Sequence, residues 1–323
     1  MPQGNPRINS GHRQHRSTTA LSRAQFWLVA LLLSLTTTNA LWAKTQVVML
    51  GTGTPIPTPD RSGPGVAIVV DDVPYLVDFG PGIVRRAAAA SEEYGGAIKG
   101  LNVDNIGRAF LTHLHHDHSA GLPDLVFTTW THGRAPAFEL YGPEGVKKMA
   151  SHVMQAWEED NRYRLYGLEP ATSEGWKINA HEVTEGVVFE DQRVKVEAFR
   201  VKHGSWPNAF GYRFTTADKV IVISGDAALD ANIDKYATGA DILIHEVMSA
   251  AGLSKRTPFW QAYHNNNHTS GVDLAKLANR AKPKLLVLYH LLFFGASETS
   301  LLKEVTDNYK GKVVMANDLD VYD

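Results

Sequence analysis

A single α/β domain of sheet layers flanked by helices is the fold class this chain predicts, and three observations predict it. From Thr45 to the end, short β-rich runs alternate with helical ones. No linker, internal repeat or low-complexity tract divides that stretch. The composition is that of an ordinary globular protein: 323 residues, 44% hydrophobic and 20% charged, with 32 Lys+Arg against 34 Asp+Glu. That is too apolar and too evenly charged for a disordered chain. One domain over residues 44–323 is therefore expected.

The N-terminus stands apart from it. Residues 1–25 are polar and basic, carrying Arg7, Arg13, Arg16 and Arg23 and no acid, and an apolar run Phe26–Leu35 follows. A run of about ten residues is too short to cross a bilayer. Small residues come next, with cleavage expected after Ala40 or Ala43, so residues 1–43 read as a secretory signal. This predicts a periplasmic or secreted protein with no stable membrane insertion after cleavage. Loss of the four arginines moves the formal net charge from −2 to −6. A mildly acidic chain without a Lys/Arg cluster is not expected to bind nucleic acid through phosphate contacts.

Within the domain, strands are expected at Val47–Leu50, Val66–Val70, Tyr75–Val77, Arg108–Leu111, Phe138–Tyr141, Val194–Val201, Phe210–Phe214, Val220–Ile223, Ile242–Ile244, Lys284–Leu288 and Val313–Met315. Helices are expected at Gly82–Ala90, Leu122–Trp130, Gly145–Glu159, Thr269–Ala281 and Glu298–Tyr309, the fourth opened by a Thr-Ser pair and closed before Pro283. Asp160–Asn179 is the least regular stretch and reads as a loop.

The chemistry sits where strands end. The chain has no cysteine, which removes disulfides, thiolate ligands and Cys nucleophiles. A metal must then be held by carboxylates and by some of the 14 histidines. Thr112-His113-Leu-His115-His116-Asp117-His118 places four His and one Asp in six residues directly after the apolar strand ending at Leu111. His113 and His115, two apart, put both rings on one side of an extended backbone. Asp117 and His118 can face a second ion as the chain turns into a helix. His203-Gly204, Gly225-Asp226 and Tyr289-His290 close three further strands; each is weak alone, and together they complete two His-rich sites sharing an oxygen ligand.

This order, His113-x-His115-x-Asp117-His118 followed by His203, Asp226 and His290, resembles the metallo-β-lactamase-fold hydrolases from about Val48 onward. Leu50-Gly-Thr-Gly-Thr-Pro55, Asp78-Phe-Gly80, Tyr141-Gly-Pro-Glu-Gly145 and His268-Thr-Ser270 resemble the branch containing ribonuclease Z, phosphodiesterases and zinc arylsulfatases. The resemblance implies a four-layer αββα sandwich with two divalent ions, Zn²⁺ first and Mn²⁺ or Fe as alternatives. It implies that His113, His115 and His203 hold one ion, that Asp117, His118 and His290 hold the other, and that Asp226 bridges them. Two ions sharing a carboxylate would lower the pKa of a bridging water toward neutrality and make it a hydroxide nucleophile. Asp78 resembles a carboxylate that orients a ligand or that water. His268 stands where ribonuclease Z-like enzymes have a proton donor to the leaving oxygen. Asp117, His268 and Asp78 are thus the candidate catalytic residues. His116 is left out of the site, and His245-Glu246 has no chemical role assigned.

The expected function is a hydrolase of sulfate esters or phosphodiesters, arylsulfatase- or ribonuclease Z-like, on a small-molecule ester. Ribonuclease Z proper is disfavoured because its Gly/Pro-rich arm is not visible in the sequence. A β-lactamase is disfavoured by Asp226, which those enzymes lack. A lactonase of the same fold and a non-catalytic metal-binding protein are the alternatives, and a homodimer is possible. His264 and Tyr263 are expected at the cleft, specificity is expected from Trp130–Pro136 and Tyr163–Trp176, and Trp130, Trp206 and Trp260 are read first as core.

Overall fold

The computed structural model describes residues 44–169 and 171–323, so the signal expected at residues 1–43 lies outside the described residues. Among the described residues, fourteen strands form two seven-stranded sheets. The first holds β1 (Thr45–Gly51), β2 (Gly65–Val70), β3 (Val73–Val77), β4 (Arg108–Phe110), β5 (Phe138–Gly142) and β6 (Ile178–Glu182), with β14 (Val321–Tyr322) on the outer edge of β1. The second runs in chain order from β7 (Gly186–Glu190) through β8 (Lys195–His203), β9 (Trp206–Thr215), β10 (Val220–Ile223), β11 (Ile242–Met248) and β12 (Leu285–Leu292) to β13 (Val313–Met315). Each sheet is antiparallel through its first strands and becomes parallel, at β3–β4 in one and at β10–β11 in the other. The described helices are α1 (Ile83–Ala90), α2 (His116–Ser119), α3 (Leu122–Thr131), α4 (Val146–Ala156), α5 (Glu158–Tyr166), α6 (Ala231–Ala237), α7 (Ala250–Leu253), α8 (Pro258–Asn267), α9 (Gly271–Ala281) and α10 (Glu298–Thr306).

The period of two along a strand produces the layers. In β1, Val47 and Met49 join the cluster between the sheets, where Phe110, Tyr212 and Phe214 pack, while Val48 and Leu50 join the cluster that carries Ile83 and Leu125 of α1 and α3. A third cluster packs Leu243 and Leu286 of the second sheet against Leu274 and Leu277 of α9 and Leu301 of α10. With both faces covered, central strands are buried along their whole length: β2 is apolar throughout, and β11 is apolar except for His245 and Glu246. The order helices, sheet, sheet, helices is the predicted αββα sandwich.

Caps place the later helices. The side chains of Asp230, Ser270 and Ser297 accept from backbone N–H groups at the starts of α6, α9 and α10. Helix α9 ends on Lys282 in the left-handed region, just ahead of Pro283.

Several expectations are corrected. The stretch read as a loop over Asp160–Asn179 contains most of α5, and the helix expected over Gly145–Glu159 is divided at Trp157. Only Asn161 of α5 is buried, so no apolar stripe marks it; acids in its first turn and the pairs Glu159–Arg162 and Asp160–Arg164 support it instead. Strands β6, β7 and β14 and helices α6 and α8 were also not anticipated. Neither Trp130–Pro136 nor Tyr163–Trp176 lines the cavity at the histidine cluster. Trp130 is core, and the Arg134 guanidinium is turned inward onto the carbonyls of Val126, Pro136 and Gly175. Trp260, in contrast, is 46% exposed.

Candidate metal centre

The histidine cluster lies in the turn from β4 to α3, and α2 turns the backbone just after His115. His203 ends β8, Asp226 follows β10, and His290 is carried in β12. All three arrive from the second sheet, so the site straddles one end of the sandwich. Two backbone features aim the ligands. Between Glu246 and Val247 the β11–β12 register slips so that His290 is the extra, unpaired residue, with φ of 44°. Gly225, at φ 62°, packs so tightly on Thr112 and the Phe210 carbonyl that an added Cβ would meet atoms 2.9 and 3.0 Å away.

The seven predicted ligands come together. His113, His115, His203 and Asp226 each offer an atom within 4.8 Å of one another, as do Asp117, His118 and His290. Asp226 stands between the groups: its Oδ2 is 4.0 Å from His113 Nε2 and 3.4 Å from His290 Nε2, and its Oδ1 is 3.3 Å from His118 Nε2. His115 Nδ1 lies 2.9 Å from His113 Nε2 and 3.1 Å from His203 Nε2.

Hydrogen bonds behind the rings decide which nitrogens face inward. Thr112 Oγ1 donates to Asp78 Oδ2 at 2.9 Å, so it accepts from His113 Nδ1 at 3.0 Å, and the His113 lone pair is left on Nε2. Asp78 Oδ2 also accepts from His118 Nδ1 at 2.8 Å. The Asn267 carbonyl accepts from His203 Nδ1 at 2.8 Å, and the Trp206 indole N–H donates to His115 Nε2 at 2.8 Å. Asp78 thus orients two rings, one directly and one through Thr112, from a backbone held at φ 59°.

These groups fit two cations. His118 Nε2, Asp226 Oδ1, His268 Nδ1 and His290 Nδ1 are buried without a hydrogen-bond partner, a cost that a bound ion would relieve at the atoms facing inward. Without a cation, burial holds His113 well below the ordinary imidazole range and brings His115 to about 4. Burial also opposes a charge on His118, but Asp226 and Asp78 outweigh it and raise its pKa. For Asp226, burial is outweighed by His290 and His118, which keep it ionised.

His268 joins this centre: its Nδ1 is 3.9 Å from Asp226 and 3.5 Å from Glu246 Oε2, and burial lowers its pKa to about 4. Glu246, to which the sequence reading assigned no role, is fully buried; burial and then the Asp226 charge push its carboxyl well above the usual range, while its Oε1 accepts from Thr269 N. Its strand-end position was the available signal. A cavity of about 290 Å³ opens over the centre, lined by Pro55, Asp117, Tyr263, His264, His268 and Leu292, and exposed His116 also reaches it.

Comparison with known proteins agrees with this geometry. Residues 74–291 match the family described as "Beta-lactamase superfamily domain". A ribonuclease Z of Mycobacterium sp. (strain KMS) is 32% identical over 250 residues, 76% of this chain and 84% of its own. Among solved structures, the human short-form tRNase Z superposes with TM-score 0.63 at 24% identity over 86% of this chain and 98% of its own. The metallo-β-lactamase-fold protein YhfI from Bacillus subtilis gives 0.65 at 17% identity over 86% and 98%. The chain belongs to the β-lactamase superfamily, as a metallo-β-lactamase-fold hydrolase of the ribonuclease Z branch.

The ribonuclease Z relatives overturn the expectation of a small-molecule ester substrate with no nucleic-acid partner, because their name is that of a nuclease. The error lay in averaging: net charge says nothing of where cations stand, and Lys202 and Arg256 each line a cavity.

Proposed function

We propose that this chain is a divalent-metal-dependent phosphodiesterase of the ribonuclease Z type, acting on RNA. The observation that carries the reading is the convergence of seven His and Asp donors around Asp226 at the floor of a cavity that also holds His268. His113, His115, His203 and Asp226 would hold one ion, and Asp117, His118, His290 and Asp226 the other. Nitrogen-rich donors with two carboxylates and no thiolate suit Zn²⁺ and tolerate Mn²⁺. When bound, such ions supply Lewis acidity toward phosphoryl oxygens and a water nucleophile near neutral pH. The chain's own part is positional. Asp78 and Thr112 lock His113 and His118 in the tautomers that face inward. His268, beside Glu246, would give a proton to the leaving oxygen once the charge of a bound phosphodiester raises its imidazole pKa back toward neutrality.

The test is cleavage by purified, Zn²⁺- or Mn²⁺-reconstituted protein of an RNA with a single-stranded 3′ extension, with bis-nitrophenyl phosphate and nitrophenyl sulfate alongside and His115→Ala as control. Cleavage of the RNA and the diester, abolished in the variant, is expected. Turnover of the sulfate alone, or none with two metals bound, would overturn the reading.

A further inference from the structure

Three aromatic side chains of α8 are exposed, Phe259 by 70%, Trp260 by 46% and Tyr263 by 42%, and Tyr263 lines the cavity at the site. Apolar rings of this size are seldom left in water in a row without a partner. They are tied to the chemistry: Trp260 stacks on His264 with centroids 5.7 Å apart and planes 27° apart, and His264 lies 5.6 Å from His268 at 33°. Two ring-to-ring steps therefore join the exposed ledge to the candidate proton donor. Tyr263 lines both the central cavity and its neighbour of about 770 Å³, which Lys202 and Trp206 also line. Arg256 lines a separate cavity of about 440 Å³ with Phe294. Neither Lys202 nor Arg256 forms an ion pair among the described residues, although many exposed basic residues elsewhere do, Arg162 and Arg280 among them.

Exposed rings joined to the reacting centre through His264, with an unpaired cation lining each of two further cavities, form the pattern that holds a single nucleic-acid strand, bases on the rings and phosphates on the cations. The geometry points to Phe259, Trp260 and Tyr263 as a base-stacking ledge that seats unpaired nucleobases of single-stranded RNA beside the scissile phosphate, with Lys202 and Arg256 holding the backbone. This inference rests on the phosphodiesterase reading for its substrate. It selects single strands over duplexes, because paired bases present no free face to a ring.

The experiment is fluorescence anisotropy of a labelled, phosphorothioate-linked short oligo(U) on the full metal-loaded chain, with bis-nitrophenyl phosphate turnover measured in parallel. Phe259→Ser and Trp260→Ser should each weaken binding by about fivefold or more, a loss exceeding any change in turnover of the small diester. Lys202→Gln and Arg256→Gln should each make the slope of log Kd against log salt shallower by about 0.7. The same RNA as a duplex should compete poorly. Unchanged binding in the serine variants, equal binding of duplex, or a wild-type dimer that Trp260→Ser dissociates would overturn the ledge. If the diester is turned over while the serine variants bind RNA normally, the ledge falls and the phosphodiesterase stands. If RNA binding depends on the ledge but no diester is cleaved, the ledge stands and the phosphodiesterase falls.

Discussion

Asp78 touches neither the cavity nor, by the arrangement above, a metal, yet two of the facing rings depend on it. Its Oδ2 takes both the His118 Nδ1 proton and the Thr112 hydroxyl that fixes His113. Asp78→Ala should therefore weaken metal binding by about 10- to 100-fold, as read by competition with a chromogenic chelator, and an unchanged affinity would remove it from the site. His268 makes a different prediction because it acts on the leaving group. His268→Ala should lower kcat on RNA by about 100-fold or more and leave bis-nitrophenyl phosphate far less affected, because nitrophenolate departs without a proton. Equal losses on both substrates would make His268 a ligand instead, a role its closeness to Asp226 and His290 permits. At this scale the sequence was most readable. His113 through His118 fall in one short run, and ligands clustered in sequence are visible without a fold. Glu246 was not readable in the same way, because its meaning depends on His268, 22 residues later, being folded back to 3.5 Å from it.

Between residues and the whole stands the segment Thr52–Ser62, which brings Pro55 to the cavity. Asp318, from the far end of the chain, pins both its ends: it accepts from Thr52 N at 3.0 Å, Thr52 Oγ1 at 2.8 Å and Ser62 N at 2.7 Å, and pairs with Arg86 at 3.1 Å. Its side chain is only 4% exposed. Asp318→Ala would strand a buried network and should cost about 3 kcal/mol in urea unfolding, with KM for RNA raised as the segment loosens. A loss under about 0.5 kcal/mol, the usual range for surface changes, would show that the segment holds itself. Elements were legible in proportion to their apolar pattern. The strands over Val66–Val70 and Ile242–Ile244 and the helix ending before Pro283 read clearly because burial and a breaker mark them. Helix α8 did not, since only Asn267 among its residues is buried and its aromatics face water, so no period of 3.6 points to a core.

At the scale of the whole molecule, His245 and three aspartates each make stability fall as pH falls, in two ranges. His245 is fully buried and is not among the candidate ligands; burial lowers its pKa from 6.5 to about 4. Between those values the unfolded chain binds a proton that the folded chain refuses, so stability present above pH 6.5 is lost on the way down, by about 1.4 kcal/mol per pH unit for one such group. Below that, Asp191, Asp218 and Asp241 contribute. Burial raises each, but the Tyr75, Thr45 and Lys284 bonds outweigh it and hold them under the ordinary 3.8, so their stabilisation is present above that value and lost below it. Thermal unfolding from pH 7 to 5 should show a falling Tm with a shallower slope in His245→Gln; parallel slopes would exclude His245 as the cause. Some of this molecule was determined by sequence alone: the α/β class, because the alternation of apolar residues is a local property, and the seven candidate ligands, because their order along the chain matches a family pattern. Tertiary structure decided the rest. Folding both sheets onto one end brings Glu246 against His268, Asp78 behind two histidines and Tyr263 and His264 of α8 to the cavity. Each of these is a meeting of residues distant in the chain, and no local periodicity or spacing encodes such a meeting.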